Sequence, residues 1–278
     1  MNPKIKIAIL DMNAGRENEG LRCIKQLAGR FLSQENIEGH YDIFDIRIKN
    51  EFPDLYDYDI FLSSGGPGDP QPQGDEWEQI YNEFLDKIYN HNKENHDKKY
   101  LFLICHSFQL ACIHWELGNV CKRKSTSFGV MPIHKTIYGT TEELFKGLHE
   151  PFWAVDSRDY QLIQPNRENL NIMGAKILAK EKIRPHIALE RAIMAIRFTD
   201  EIIGTQFHPE ADAEGMLHYF SNENKKDLII HNHGEEKYNG MVKHLQDEDS
   251  IKLTEKTIIP LFLAHAYENI LKNQTILS

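Results

Sequence analysis

Short apolar runs alternate with stretches of helical periodicity from the N-terminus to Cys105, and that alternation restricts the fold more than any other feature of the chain. Ile5 to Leu10 is an apolar run closed by Asp11-Met12-Asn13-Ala14-Gly15, the signature of a buried strand and its turn. Leu21, Ile24, Leu27, Ala28, Phe31 and Leu32 then recur at helical spacing. Tyr41 to Ile48 alternates as a strand, Tyr58 to Leu62 is a further apolar run, and Ile80, Phe84, Leu85 and Ile88 mark a helix face before the run that ends at Cys105. Parallel strands need crossover connections of this kind, so the rhythm predicts an α/β fold: a doubly wound, mostly parallel sheet with helices on both faces. Ligand sites in such sheets lie at the carboxyl ends of the strands. Cys105 and the loop Ser63-Ser64-Gly65-Gly66-Pro67-Gly68-Asp69 both follow predicted strands and therefore fall on that edge.

Beyond Cys121 the pattern changes to short strand-like pieces, Val130 to Ile137, Phe152 to Val155, Ile177 to Ala179 and Ile193 to Arg197, which extend the sheet or form an antiparallel flap. From about Ala213 the pattern is helical: Met216, Leu217, Tyr219 and Phe220, then Met241, Val242 and Leu245, then Ile258 to Ile270, whose spacing is that of core packing. Asn222 to Lys226 and Gln246 to Asp249 have loop composition. The expected organisation is one domain over residues 1–212 with a helical C-terminal extension, 213–278, packed on it. No internal repeat interrupts it.

With 278 residues the chain can bury a full core. A net charge of −10 and a pI near 5.8 argue against nucleic acid or an anionic membrane surface as partner. No apolar run reaches the roughly twenty residues of a membrane helix, and Met1-Asn2-Pro3-Lys4 leads into a strand pattern without a signal-peptide core, so the cytoplasm is the default compartment. The four cysteines, Cys23, Cys105, Cys112 and Cys121, include no Cys-x-x-Cys pair and are expected as reduced thiols. His231-Asn232-His233-Gly234-Glu235 has the composition of a metal site, but no further ligands stand at a recognised spacing. Neither a metal nor another cofactor is expected.

Cys105 closes Leu101-Phe102-Leu103-Ile104, where an apolar strand gives way to the helix-compatible His106-Ser107-Phe108-Gln109. A cysteine there is most often a small buried hydrophobe. About a hundred residues later, Gly204-Thr205-Gln206-Phe207-His208-Pro209-Glu210 offers an imidazole and a carboxylate two residues apart. A thiol becomes a useful nucleophile when an imidazole holds it as thiolate and a third group fixes the imidazole. Cys105, His208 and Glu210 therefore form a candidate triad.

The ordered set Ser64-Gly65-Gly66-Pro67-Gly68, Cys105 with Gln109, Phe128-Gly129 and Gln206-Phe207-His208-Pro209-Glu210 resembles the class I glutamine amidotransferase family, nearest its stand-alone GMP-synthase-like members, over roughly the first three quarters of the chain. The resemblance implies hydrolysis of the glutamine side-chain amide through a γ-glutamyl thioester on Cys105. His208 would be the acid–base, Glu210 its orienting carboxylate, and the backbone N–H groups of Gly66 and His106 the oxyanion hole. Gln109 would face the substrate pocket. It also implies a separate synthetase as ammonia acceptor, since no acceptor domain is visible in the sequence.

The sequence departs from the family elbow, Gly-x-Cys-x-Gly, by carrying Leu103 and Ser107 at the glycine positions. Near the expected glutamine site it carries Asp156, which would change the charge met by a substrate, and Arg158, which would contact a carboxylate or pair with Asp156 or Asp159. Three alternatives therefore stay open: a γ-glutamyl peptidase or hydrolase using the same triad on a γ-linked conjugate, an acyltransferase, and a binding module that has lost catalysis. Gly65, Gly66 and Gly68 alone can also be read as only a tight turn needing positive φ.

Overall fold

The computed structural model describes residues 4–35, 37–183, 190–221, 226–227, 229–231 and 234–277. Its strands are β1 (Lys4–Asp11), β2 (Glu38–Asp45), β3 (Ile60–Ser63), β4 (Tyr100–Ile104), β5 (Asn119–Lys135), β6 (Phe152–Ile163), β7 (Lys176–Glu181), β8 (Ile193–Arg197) and β9 (Ile202–Thr205). The labelled helices are α1 (Glu19–Leu32), α2 (Ile46–Lys49), α3 (Glu76–Glu94), α4 (His106–His114), α5 (Ile137–Thr140), α6 (Arg167–Met173), α7 (Ala213–Ser221), α8 (Glu235–Gln246) and α9 (Ile251–Leu277). The strands form one sheet in the order β2-β1-β3-β4-β9-β8-β6-β5-β7. Its β2-β1-β3-β4-β9 half is parallel, and the remaining strands pair antiparallel.

The period of two along each central strand sorts its side chains between two cores. Ile5, Ile7 and Ile9 of β1 and Phe102 and Ile104 of β4 join a cluster with α1 and α9, whereas Ala8, Leu10, Leu101 and Leu103 join one with α3 and α4. Both faces are thus covered, which is why these strands read as continuous apolar runs. The Ile258 to Ile270 stretch is core, as its spacing predicts: Phe262 of α9 meets Phe102 edge to face at 5.2 Å. A third, smaller cluster joins α7 and α8 to β5 and β6 through Val130, Val155, Ala213, Met241 and Leu245. Met241 sits directly on Gly129, where φ is +119° and a Cβ would stand 2.5 Å from the sulfur.

Several boundaries differ from the sequence reading. The strand expected over Tyr41 to Ile48 is Glu38–Asp45, because the Asp45 carboxylate accepts the Ile48 N–H and starts a helical turn. The strand expected from Val130 begins at Asn119. Its first half, Lys122-Arg123-Lys124-Ser125-Thr126-Ser127, has no apolar run and includes a register shift against β6 between Lys122 and Ser127. Among the expected loop of Asn222 to Lys226, residues 222–225 lie outside the described residues, as do Asn232 and His233 of the metal-like run.

Candidate active site

Cys105 is the hinge between β4 and α4, with φ 49° and ψ −97°. A non-glycine residue with positive φ costs about 1–3 kcal/mol and persists only when its surroundings over-determine it. Here the Cys105 N–H donates to the Thr205 carbonyl at 2.7 Å, and the Gln109 N–H closes the first turn of α4 on the Cys105 carbonyl at 3.0 Å. Ser107 adds a brace that glycine lacks. Its hydroxyl accepts the Ile104 N–H at 2.8 Å and lies 3.0 Å from the Ser63 carbonyl, tying the elbow to the end of β3. Leu103 is accommodated because its neighbour in β9 is Gly204, where a Cβ would stand 3.1 Å from that of Leu103. Ser107→Ala should therefore destabilise the protein by about 1–3 kcal/mol, since a buried N–H loses its acceptor. Urea unfolding of the variant checks this.

His208 follows the end of β9 and is fixed at two points. Its N–H donates to the Val155 carbonyl at 2.8 Å, and its Nδ1 lies 2.8 Å from Glu210 Oε1. Glu210 is 1% exposed, so the carboxylate acts in a low-dielectric setting. Burial opposes the imidazolium. The charges of Glu210 and of Cys105, and the hydrogen bonds to both, outweigh that and hold the His208 pKa well above its ordinary value. The glycine loop lies against both reactive groups: a Cβ on Gly65 would come within 2.9 Å of His208 Cε1 and 3.5 Å of Cys105 Cβ.

A Cβ on Gly66 would come within 2.2 Å of the Met12 carbonyl. In the loop Ser63 to Asp69 only Gly68 has positive φ, so Gly65 and Gly66 are required by close approach rather than by turn conformation. Arg47 braces the loop by donating to the Pro67 carbonyl at 2.5 Å while its guanidinium stacks over Trp77. Gly66→Ala must push the loop away from Met12, the residue after β1; if the Gly66 N–H serves the oxyanion, kcat should fall about 10²–10³-fold, measurable in steady-state kinetics.

The thiol has a further polar neighbour that the sequence reading missed. Gln206 Nε2 donates to Cys105 Sγ at 3.6 Å, and Gln109 Nε2 donates in turn to Gln206 Oε1 at 2.9 Å. Gln109 thus lines the cleft while anchoring Gln206. The signal available in sequence was a glutamine at the end of an apolar strand, two residues before the candidate base. A hydrogen bond contributes roughly 0.5–1.5 kcal/mol, so Gln206→Leu should slow alkylation of Cys105 by about twofold to tenfold at neutral pH. The His106 N–H is the first of α4 and has no intrahelical acceptor. Its ring is pushed down to about 4 by burial and by the Arg47 cation, against the opposing pull of Asp69, so it stays neutral beside the thiol at pH 7.

Asp156 is not among the residues lining the cleft. Its carboxylate accepts the Ser127 hydroxyl at 2.6 Å and Arg158 Nε at 2.9 Å, and Arg158 Nη2 continues to Glu181 Oε2 at 3.3 Å. Arg158 borders the cleft with its guanidinium held by these partners, so the Asp156 charge is compensated where it stands. Neighbouring Ser157 points the other way along β6, and its carbonyl lies 3.8 Å from Cys105 Sγ.

The cleft encloses about 430 Å³ at the carboxyl ends of the parallel strands, where Gly65, Gly66, Cys105, His106, Gln109 and His208 converge. Among the described residues no group of three or more His, Cys, Asp and Glu side chains is placed to hold a metal ion. No described helix is long and apolar enough to cross a membrane.

An elbow thiol, an imidazole–carboxylate pair and a glycine loop thus converge at the carboxyl ends of the parallel strands of an α/β sheet. The chain belongs to the glutamine amidotransferase class-I family, whose model matches residues 33–226. Among solved structures it is similar to a glutamine amidotransferase from Thermotoga maritima, with 14% identity, a TM-score of 0.68, and coverage of 96% of this chain and 100% of that one. A glutamine amido transferase from Methylobacillus flagellatus has 16% identity and a TM-score of 0.61, with coverage of 98% and 96%. The glutaminase domain of Trypanosoma brucei CTPS, solved with bound acivicin, has 15% identity and a TM-score of 0.52, with coverage of 74% and 86%. At these identities the likeness is one of fold. No curated protein sequence matches the chain.

Proposed function

We propose that the chain hydrolyses the γ-amide of a glutamyl compound through a thioester on Cys105, with glutamine as the simplest such donor. The observation that carries this is the strained Cys105 elbow facing an imidazole pinned 2.8 Å from a buried carboxylate. In this reading the Cys105 thiolate attacks the γ-carbonyl carbon, and the oxyanion is met by the N–H groups of Gly66 and His106, the latter at the positive end of α4. His208, held as imidazolium, gives its proton to the departing nitrogen as the C–N bond breaks. It then takes a proton from the water that cleaves the thioester.

Glu210 keeps His208 in one orientation and favours its charged form. Residues 1–212 carry this machinery, and 213–278 form a helical extension packed on it. A separate synthetase partner is needed only if the released amine is ammonia. Rapid acid quench with L-glutamine or a γ-glutamyl amide, followed by peptide mass spectrometry, tests the reading. It requires a γ-glutamyl adduct on the Cys105 peptide, and an unmodified Cys105 throughout turnover would sink it. The runner-up, cleavage of a γ-linked conjugate, is favoured by a second cavity beside His208.

A further inference from the structure

A second cavity, of about 670 Å³, adjoins the thiol cleft at His208. Its apolar wall is Leu21 of α1, Phe128 of β5, Val155 of β6, Ala211 and Met216 of α7. The two cavities share Glu17, Asn18, Gly20, Leu21, Ser157, His208 and Glu210, so they meet at the imidazole. Glu17, Glu19 and Lys25, which also border the second cavity, are exposed. The apolar wall is built firmly: Val155 and Ala211 belong to the small cluster that α7 and α8 make with the sheet, and Phe128 and Met216 pack against it.

Chemistry assigns the two sides. The acyl half of the substrate must lie with Cys105 and the glycine loop. The nitrogen that leaves must lie within reach of the His208 proton, so its substituent projects towards the second cavity. Ammonia needs no such space, and several hundred cubic ångströms with one wall of aliphatic and aromatic side chains, where the bordering Arg22 guanidinium is already paired with Glu19 and Asp212, is the volume of a small organic group.

The geometry points to an apolar, uncharged substituent on the substrate nitrogen, making this chain a hydrolase of γ-glutamyl amides of bulky apolar amines, with Met216 of the C-terminal extension as part of the amine subsite. The proposal rests on the thioester reading above. The balance is simple: water is consumed, the γ-carbon to nitrogen bond breaks, and the nitrogen keeps the electron pair and takes the His208 proton. Glutamate and the free amine are released, and the thiolate and imidazolium are restored as the water adds to the thioester and gives a proton to His208.

The test compares kcat/KM for γ-L-glutamyl-3-methylbutylamide and for L-glutamine in the wild-type chain, Met216→Glu and Leu21→Glu. A secondary alkylamide is intrinsically no more reactive than the primary amide, so a preference for it reports the pocket. The expected result is about tenfold or more in favour of the alkylamide, with that ratio falling at least about fivefold in both variants. Two variants guard against misfolding of either. A wild-type ratio at or below one, with a Cys105 thioester formed from glutamine, overturns the apolar subsite and leaves the thioester reading standing; the cavity is then a docking surface for an ammonia acceptor. Failure to form a thioester from either amide overturns both.

Discussion

Replacing Cys105 by alanine should lower amide hydrolysis by about 10⁴-fold or more, because the nucleophile of a triad is the member whose loss removes the covalent route entirely. The residual rate would reflect only binding and the oxyanion donors. The fold should survive. Cys105 is one of the free cysteines, its Sγ contacts to the Ser157 carbonyl and the Gln206 amide are long, its remaining partner is the functional His208 imidazole, and alanine meets no greater backbone strain than cysteine at the same positive φ. Urea unfolding should therefore place the variant within about 1 kcal/mol of the parent. Glutamate release measured beside the unfolding curve separates lost chemistry from lost structure. An unfolded variant, or an active one, would contradict the assignment.

Glu210→Gln should reduce kcat by about 10²–10⁴-fold while preserving shape. The carboxylate is buried and bonded to His208 Nδ1, so the amide replaces a charge with a dipole whose donor end clashes electrostatically with the imidazolium N–H when misoriented. The sign of the pH effect follows from the raised His208 pKa. A raised folded-state value contributes stability that is fully present below the unfolded histidine pKa and is lost as pH rises through the folded one. Without the Glu210 charge the principal support for the imidazolium disappears, so the His208 titration midpoint should move to lower pH. The alkaline part of the stability profile should flatten with it. Proton NMR of the His208 ring reads the midpoint directly; an unmoved midpoint would show that Glu210 does not govern the imidazole.

The parallel half of the sheet was legible because its strands are buried on both faces and so are written as apolar runs, as in Ile5 to Leu10 and Leu101 to Ile104. The antiparallel half was not. Its longest strand, β5, begins with nine residues that include two lysines, an arginine and three hydroxyl side chains, and its existence depends on pairing with β6 rather than on local preference. In the site, Cys105, His208 and Glu210 were legible from residue type and order, and the structure brings them to one strand edge. What sequence could not supply was direction. Asp156 reads as a pocket residue in the sequence, whereas its carboxylate lies off the cleft lining and takes up the pairing with Arg158 that the sequence left open, Arg158 itself bordering the cleft. Gln206 went unassigned because nothing in its spacing shows that it reaches the sulfur. The room for Leu103 likewise depends on Gly204, about a hundred residues away and adjacent only through the register of β4 and β9.

The most direct test of the central claim is covalent labelling by a glutamine-mimicking chloroketone, with the adduct located by peptide mass spectrometry in the wild-type chain and in His208→Ala. The account predicts modification of Cys105 alone, slowed by excess glutamine and slowed again in His208→Ala. Burial pushes the Cys23 thiol up to about 12 and raises that of Cys112, which keeps both protonated and unreactive. Labelling of another cysteine with Cys105 spared, or Cys105 labelling that neither glutamine nor loss of His208 affects, would contradict it.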